Sequence, residues 1–490
     1  MSSTLILTCV LAYSALLFFV VWLTSRKADN ESYFIGNRSS KWYVVAYGMI
    51  GASLSGVTFM SVPGWVGSTQ FSYMMVVFGY FAGYLVVATI LLPLYYRLHL
   101  TSIYSYLQTR FGFHSYKTGS LFFILSRTIG SALRLYIVIN VLQTFVFDQW
   151  GISFWFTTAA FISMILLYTY KGGVKTIIWT DTLQTTFMLA ALVLSIILIA
   201  KQLGFSAGDI FQNVVNGDYS QMIITDVNAK NYFLKHFFGG MFITIAMTGL
   251  DQEMMQKNIS VKTLGGSKKN MIWFSIVLVF INFLFLSLGV MLYLYAKSRN
   301  LPIPTLSDDL FPTIALGFLG TVSAVFFIIG LISAAYPSAD GALTALTSSF
   351  CLDILGIRRN EKLDEEQRKK IRYIVHFSFA VLLFLVIGIF RIINDRAVID
   401  KVLTIASYTY GPLLGLFTFG IFSKRMPTDR FVPIVCILAP FACYWLNENS
   451  AMIFNGYKFG YELLIVNGFI TVLGLMAISR KAVTQPNSGT

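Results

Sequence analysis

Runs of about twenty apolar residues recur along the whole chain, each long enough as a helix to cross a hydrocarbon core of roughly 30 Å. They fall at 3–24, 42–66, 72–96, 119–147, 152–170, 177–200, 234–256, 271–296, 316–352, 373–393, 398–422, 431–446 and 459–479, and predict an all-α polytopic membrane protein of thirteen transmembrane helices. No positive segment precedes the first run and Arg26 and Lys27 follow it, so it reads as an anchor rather than a cleaved signal. Most of the 36 Lys and Arg lie in alternate loops, including Lys257, Lys262, Lys268 and Lys269 in one and the cluster from Arg358 to Arg372 in another. Cytoplasmic loops hold such an excess, which predicts the N-terminus outside and the C-terminus inside a cell membrane.

Composition strengthens this picture. The chain is 56% hydrophobic and only 12% charged, and no water-soluble fold hides that much apolar surface behind so few charges. A soluble enzyme and a disordered scaffold are excluded. The net charge of +14 sits in loops, so it reports topology rather than a nucleic-acid partner. Cys9, Cys351, Cys436 and Cys443 lie in apolar runs without a C-x-x-C pair, and His99, His114, His236 and His376 are scattered without metal-ligand spacing. The polar stretches 201–233 and 356–372 are too short for a catalytic or signalling module.

A charge at mid-bilayer costs about 2.5–3.5 kcal/mol, so each intramembrane charge raises a functional question. Asp181 opens the sixth run, Asp251 and Glu253 lie in the seventh, Asp340 is the only charge between 316 and 352, and Arg127 and Arg134 share the fourth. Seven residues put the two arginines on one helical face about 10 Å apart, where they need carboxylate partners or an anionic ligand. Buried ion pairs are the alternative for Asp181 and Asp251. Asp340, in Ser338-Ala339-Asp340, has no basic neighbour in sequence, and carboxylate, hydroxyl and carbonyl oxygens are hard ligands suited to Na⁺. Glycines at 48, 51, 56 and 64 in the second run, and at 239, 240 and 249 in the seventh, mark both as candidates for a mid-membrane break, and Ser53, Ser55 and Thr58 add hydroxyls at the first. Neither a phosphate-binding loop nor a zinc motif is present, which favours coupling to an ion gradient.

Six segments in this order resemble the sodium:solute symporter family. They are Ser55-Gly56-Val57-Thr58-Phe59-Met60 with Pro63-Gly64; Tyr106 through Gly112; Gly172-Gly173-Val174-Lys175 through Trp179-Thr180-Asp181 to Gln184; Asp251-Gln252 with Gln256-Lys257; Ser333 through Asp353; and Tyr410 through Phe417. The resemblance implies a LeuT-type core of two inverted five-helix repeats, helices 2–6 and 7–11, with one helix before and two after. The domain boundaries follow as 1–40, 41–203, 204–233, 234–422, 423–479 and 480–490. It implies a principal sodium site made by the carbonyls of Gly51 and Leu54 facing Ala334 and Ser338, although Pro337 stands where the family has a serine and frees the carbonyl of Ser333 instead. Some members bind a second sodium at the aspartate matching Asp181, which Asp340 could complete.

For the solute, the aromatic that stacks on sugar in sugar-transporting members falls on Met247, and a glutamine of theirs falls near Leu403. The run Ser53, Ser55, Thr58 resembles that of sialic acid symporters, in which an arginine, here Arg134, receives a carboxylate; Thr244 joins Met247 on the sixth core helix. The resemblance therefore implies a sodium-coupled symporter, not an enzyme, that imports a small organic solute, leaning toward sialic acid or another organic anion. A sodium/sugar or sodium/amino-acid symporter is the alternative within the family, and a transporter-like sensor or a channel the alternative outside it. Sodium ions, the solute and the lipid bilayer are the expected partners, with no nucleic acid; the oligomeric state is left open, a monomer being one option.

Overall fold

The computed structural model describes residues 3–25, 33, 38–393 and 398–480. The basic residues Arg26 and Lys27 and the tail from 481 onward, two features read from the sequence, lie outside the described residues.

Helix α1, Ser3–Ser25, packs at the periphery. The second predicted run is two helices, α2 Trp42–Ser53 and α3 Gly56–Thr69, bent by 57°. Then come α4 Tyr73–Arg97, α5 Phe113–Leu142, and α6 Phe154–Thr169, which leads through a break at Gly173 into α7 Thr176–Leu203. The seventh predicted run is again two helices, α8 Phe233–Gly249 and α9 Gln252–Ile259, bent by 66°. They are followed by α10 Leu264–Ser298, α11 Gly320–Ile354 and α12 Glu365–Ile393. A third broken pair, α13 Val398–Thr409 and α14 Gly411–Phe422, bends by 44°, and α15 Val432–Glu448 and α16 Leu463–Ala477 end the bundle. Eight of the described helices are long and apolar enough to cross a membrane and up to eleven spans result if each bent pair counts as one, with Phe154–Thr169 and Leu463–Ala477 as shorter apolar helices. Two-residue strands β1 Met426–Pro427 and β2 Ser479–Arg480 pair antiparallel.

The three breaks have different local causes. Leu54 and Ser55 are both extended, at φ/ψ of −86°/92° and −84°/177°, where hydroxyls and Gly56 weaken the helix. Gly249 closes α8, and Asp251 caps α9 by accepting from the backbone N–H of Glu253 and Met254. At the third, Pro412 can begin a helix but cannot continue one. There the Asn467 amide, from α16, donates to the carbonyls of Ser407 and Tyr408 at 2.9 and 2.8 Å and satisfies both at the bend.

Burial ranks the helices. In α11, 78% of the most apolar stretch is buried, against 22% in α15, so α11 is the inner post against which α3, α5 and α7 pack. Small residues permit that closeness. At Gly64 the approach is tightest: an added Cβ would lie 1.9 Å from the backbone oxygen of Ser307. Gly64→Ala is expected to destabilise the fold by about 1–3 kcal/mol, read as a lower thermal midpoint in detergent or nanodiscs; an unchanged midpoint would mean that the Ser307 segment yields.

Candidate functional site

The two foreseen breaks meet in the middle of the bundle, and their ends differ in chemistry. A helix leaves its first N–H groups and last carbonyls without partners inside the helix. At the first break the carbonyls of α2 are released, and α3 begins at Ser55 with no side-chain cap, so the N–H groups at its start are free to meet a ligand. At the second, the Asp251 carboxylate already occupies the corresponding helix start. One half-helix carries its own anion and the other does not.

A cavity of about 100 Å³ opens beside the uncapped end. Ser53, Ser55 and Thr58 line it from the first break, Tyr80 and Tyr84 from α4, Thr244, Met247 and Thr248 from α8, and Asn282 from α10. The Ser53 and Tyr84 hydroxyls lie 3.3 Å apart. Arg127 and Arg134 reach the same cavity from α5, and the structure separates their roles. Arg127 is buried, pairs with Glu253, and lies 3.7 Å from the Asp251 carboxylate, which also accepts from the Tyr410 hydroxyl at 2.8 Å. Arg134 is half-buried, and among the described residues no carboxylate lies within ion-pair distance of it. Its backbone oxygen is 3.6 Å from where a Cβ on Gly56 would stand, which sets it next to the start of α3.

Behind the first break lies the candidate cation site. Gly48 and Gly51 of α2 ride directly on α7: a Cβ at Gly48 would be 3.3 Å from the Asp181 Cβ, and one at Gly51 would be 3.4 Å from the Asp181 backbone oxygen. Facing them, α11 is helical through Pro337, which leaves the Ser333 carbonyl without its helical donor. The Ser333 and Ser338 hydroxyls and one Asp181 carboxylate oxygen are buried and have no hydrogen-bond partner among the described residues. Buried polar atoms are nearly always paired, so the two unpartnered hydroxyls and the freed Ser333 carbonyl make this stretch of α11 a candidate cation site. Ala334 is likewise buried, and its carbonyl belongs to the same turn of α11. Asp340 accepts from the Tyr168 hydroxyl at 2.8 Å and from the Gly341 N–H. The other Asp181 oxygen accepts from Lys257 Nζ at 2.7 Å. Among the described residues no group of three or more His, Cys, Asp or Glu could hold a metal ion, which leaves neutral oxygens as the main ligands on offer.

The structure thus brings Ser53, Ser55, Thr58, Arg134, Thr244 and Met247 around one cavity, and Asp181, Ser338 and Asp340 into the helix packing behind it. Leu403, the position matched to a sugar-binding glutamine, also lines the cavity, as an apolar wall. Sequence reasoning missed Tyr80, Tyr84, Thr248 and Asn282. The spacing Tyr73, Tyr80, Tyr84 puts three hydroxyls on one face of α4, a signal that was readable. Asn282 is one polar residue in a long apolar run, with nothing in sequence to aim it inward.

The family model of the sodium:solute symporter family matches residues 33–429. The sodium/sialic acid symporter of Proteus mirabilis is 24% identical over 477 residues, covering 94% of this chain and 92% of that protein. A mouse sodium-coupled monocarboxylate transporter 1 is 25% identical over 402 residues, covering 80% of this chain and 64% of that one. Among solved structures, a substrate-bound outward-open state of a Na⁺-coupled sialic acid symporter superposes with a TM-score of 0.83 at 21% identity, over 97% of this chain and 99% of the other. The closed conformation of Mhp1, a nucleobase-cation-symport-1 family transporter, superposes with a TM-score of 0.53 at 13% identity, over 92% and 94%.

Proposed function

Since the chain belongs to the sodium:solute symporter family, we propose that it carries a small carboxylate together with sodium by alternating access between the two repeats. One observation carries the choice of solute. Of the two half-helix starts that face mid-membrane, that of α9 is neutralised by Asp251, whereas that of α3 is uncapped and has beside it Arg134, which no carboxylate pairs among the described residues. A helix N-terminus and a guanidinium together form a site for an anion. Ser53, Ser55, Thr58 and Thr244 supply hydroxyls to the rest of the solute, and Met247 gives it an apolar wall. A sugar would gain from an aromatic and an amide where Met247 and Leu403 stand, so a neutral hexose fits this cavity less well.

Sodium binds between the first break and α11 in this reading. The carbonyls of Gly51 and Leu54, with Ala334 and the orphaned Ser338 hydroxyl, are its ligands, and the freed Ser333 carbonyl is within the same turn. Removing a hydroxyl that ligates a charged group costs about 1.5–3 kcal/mol, so Ser338→Ala should raise the sodium concentration for half-maximal uptake roughly tenfold to a hundredfold. An unchanged sodium curve would remove Ser338 from the site.

The two short helices complete thirteen crossings of a cell membrane in this proposal, with the N-terminus outside and the lysine- and arginine-rich loops in the cytoplasm, in line with the charge asymmetry. The decisive experiment is uptake into proteoliposomes with and without a sodium gradient, over short monocarboxylates, a sialic acid, sugars and amino acids. Sodium-driven uptake of a carboxylate but not of its methyl ester is the expected result. Equal uptake of acid and ester, or uptake indifferent to sodium, defeats the proposal.

A further inference from the structure

Lys257 sits on Asp181, the carboxylate that the family resemblance marks for a second coupling cation. We propose that its ammonium is a tethered replacement for that ion, so that the protein binds one sodium per chain; this rests on the sodium-coupled reading above. The geometry is that of a bound cation. Lys257 projects from α9, beyond the second break, and its Nζ lies 2.7 Å from the Asp181 carboxylate on α7 and 3.2 Å from Glu253. The ligands thus come from both repeats, as those of a coupling ion between repeats must. An ammonium has three donors and no acceptor, which suits it to a set of carboxylate oxygens.

The position is fixed from several sides. Lys257 and Glu253 are one helical turn apart on the same face of α9. Glu253 in turn is held by Arg127 and pressed against α11 at Gly341, where an added Cβ would meet its carboxylate oxygen at 2.3 Å. Lys257, Asp181 and Glu253 are all at least 98% buried, so water screens none of them. A sodium ion about 4 Å from that ammonium, at an effective dielectric near 20, would lose roughly three orders of magnitude in affinity. Asp340, the other carboxylate nearby, has one oxygen held by Tyr168 and the other by the Gly341 N–H.

Saturation binding of radioactive sodium to the purified full-length protein in lipid nanodiscs, without solute, tests this. The native protein should bind about one ion with a Hill coefficient near 1, and Asp181→Asn should leave that number unchanged. Lys257→Met should raise it to about two by exposing Asp181 to sodium, and adding Asp181→Asn to that variant should return it to about one. A native protein that binds two ions and loses one in Asp181→Asn overturns the proposal, as does a folded Lys257→Met protein that binds only one. Should Lys257→Met fail to fold, the Asp181→Asn count decides alone: a retained ion supports the tethered cation and a lost one overturns it. A chain that binds no sodium at all overturns both this inference and the symport reading. One ion lost in Ser338→Ala, with Lys257→Met still at one, overturns the inference alone.

Discussion

Arg134→Ala should lower kcat/KM for carboxylate uptake by about a hundredfold while leaving thermal stability and sodium binding close to native. The magnitude follows from a guanidinium that makes charge-assisted hydrogen bonds to a carboxylate, about 3 kcal/mol for a forked pair, or roughly a hundredfold. Stability should survive because no carboxylate among the described residues depends on Arg134 for charge balance, and truncation strands no buried partner. Arg134→Lys keeps the charge but not the planar fork, so it should recover only part of the loss, and mainly in KM. Competition by the free acid and its methyl ester supplies a second measurement: the native protein should prefer the acid strongly and the alanine variant should be nearly indifferent. A variant that still prefers the acid would move the carboxylate to another group, the uncapped start of α3 being the remaining candidate.

Both foreseen breaks were legible because their causes are local. Gly56 beside two serines, and Gly249 two residues before Asp251, advertise weak helix and a ready cap within a few positions. The third break has a local signal as well, Gly411-Pro412 inside the apolar run 398–422, but reading that run as one helix hides it, and the Asn467 amide that meets the Ser407 and Tyr408 carbonyls lies more than fifty residues away. The sequence sets the start of α5 at 119, six residues late, because part of its cause is also distant. Its first turn, Phe113-His114-Ser115, looks like loop, yet the Asp429 carboxylate accepts from the N–H groups of His114 and Ser115 at 2.8 Å and caps it from across the chain. The helix Ala207–Asn216 was not foreseen in what reads as a polar loop, although Ser206 and Asp209 form a capping box at its start. At the site, the hydroxyls and intramembrane charges stood out individually. Which charge met which did not, because seven-residue spacing puts Arg127 and Arg134 on one face without saying that Glu253 would claim only the first.

That division makes the second large effect structural. Arg127→Met should destabilise the protein by about 3–5 kcal/mol, the range for breaking a buried ion pair from one side, because Glu253 would be left as an anion with only Lys257 for company. Asp251 is the less exposed party, since it keeps the Tyr410 hydroxyl and two backbone N–H groups of α9. A partner substitution separates this account from simple loss of packing. Glu253→Gln removes the stranded charge but keeps an oxygen for Lys257 to donate to, so Arg127→Met/Glu253→Gln should recover at least about 1–2 kcal/mol over Arg127→Met, a coupling of the size found between contacting residues. Thermal unfolding of the four proteins in nanodiscs gives the cycle directly. Purely additive losses would mean that Arg127 stabilises through its stem and its packing, and that its ion pair with Glu253 contributes nothing measurable.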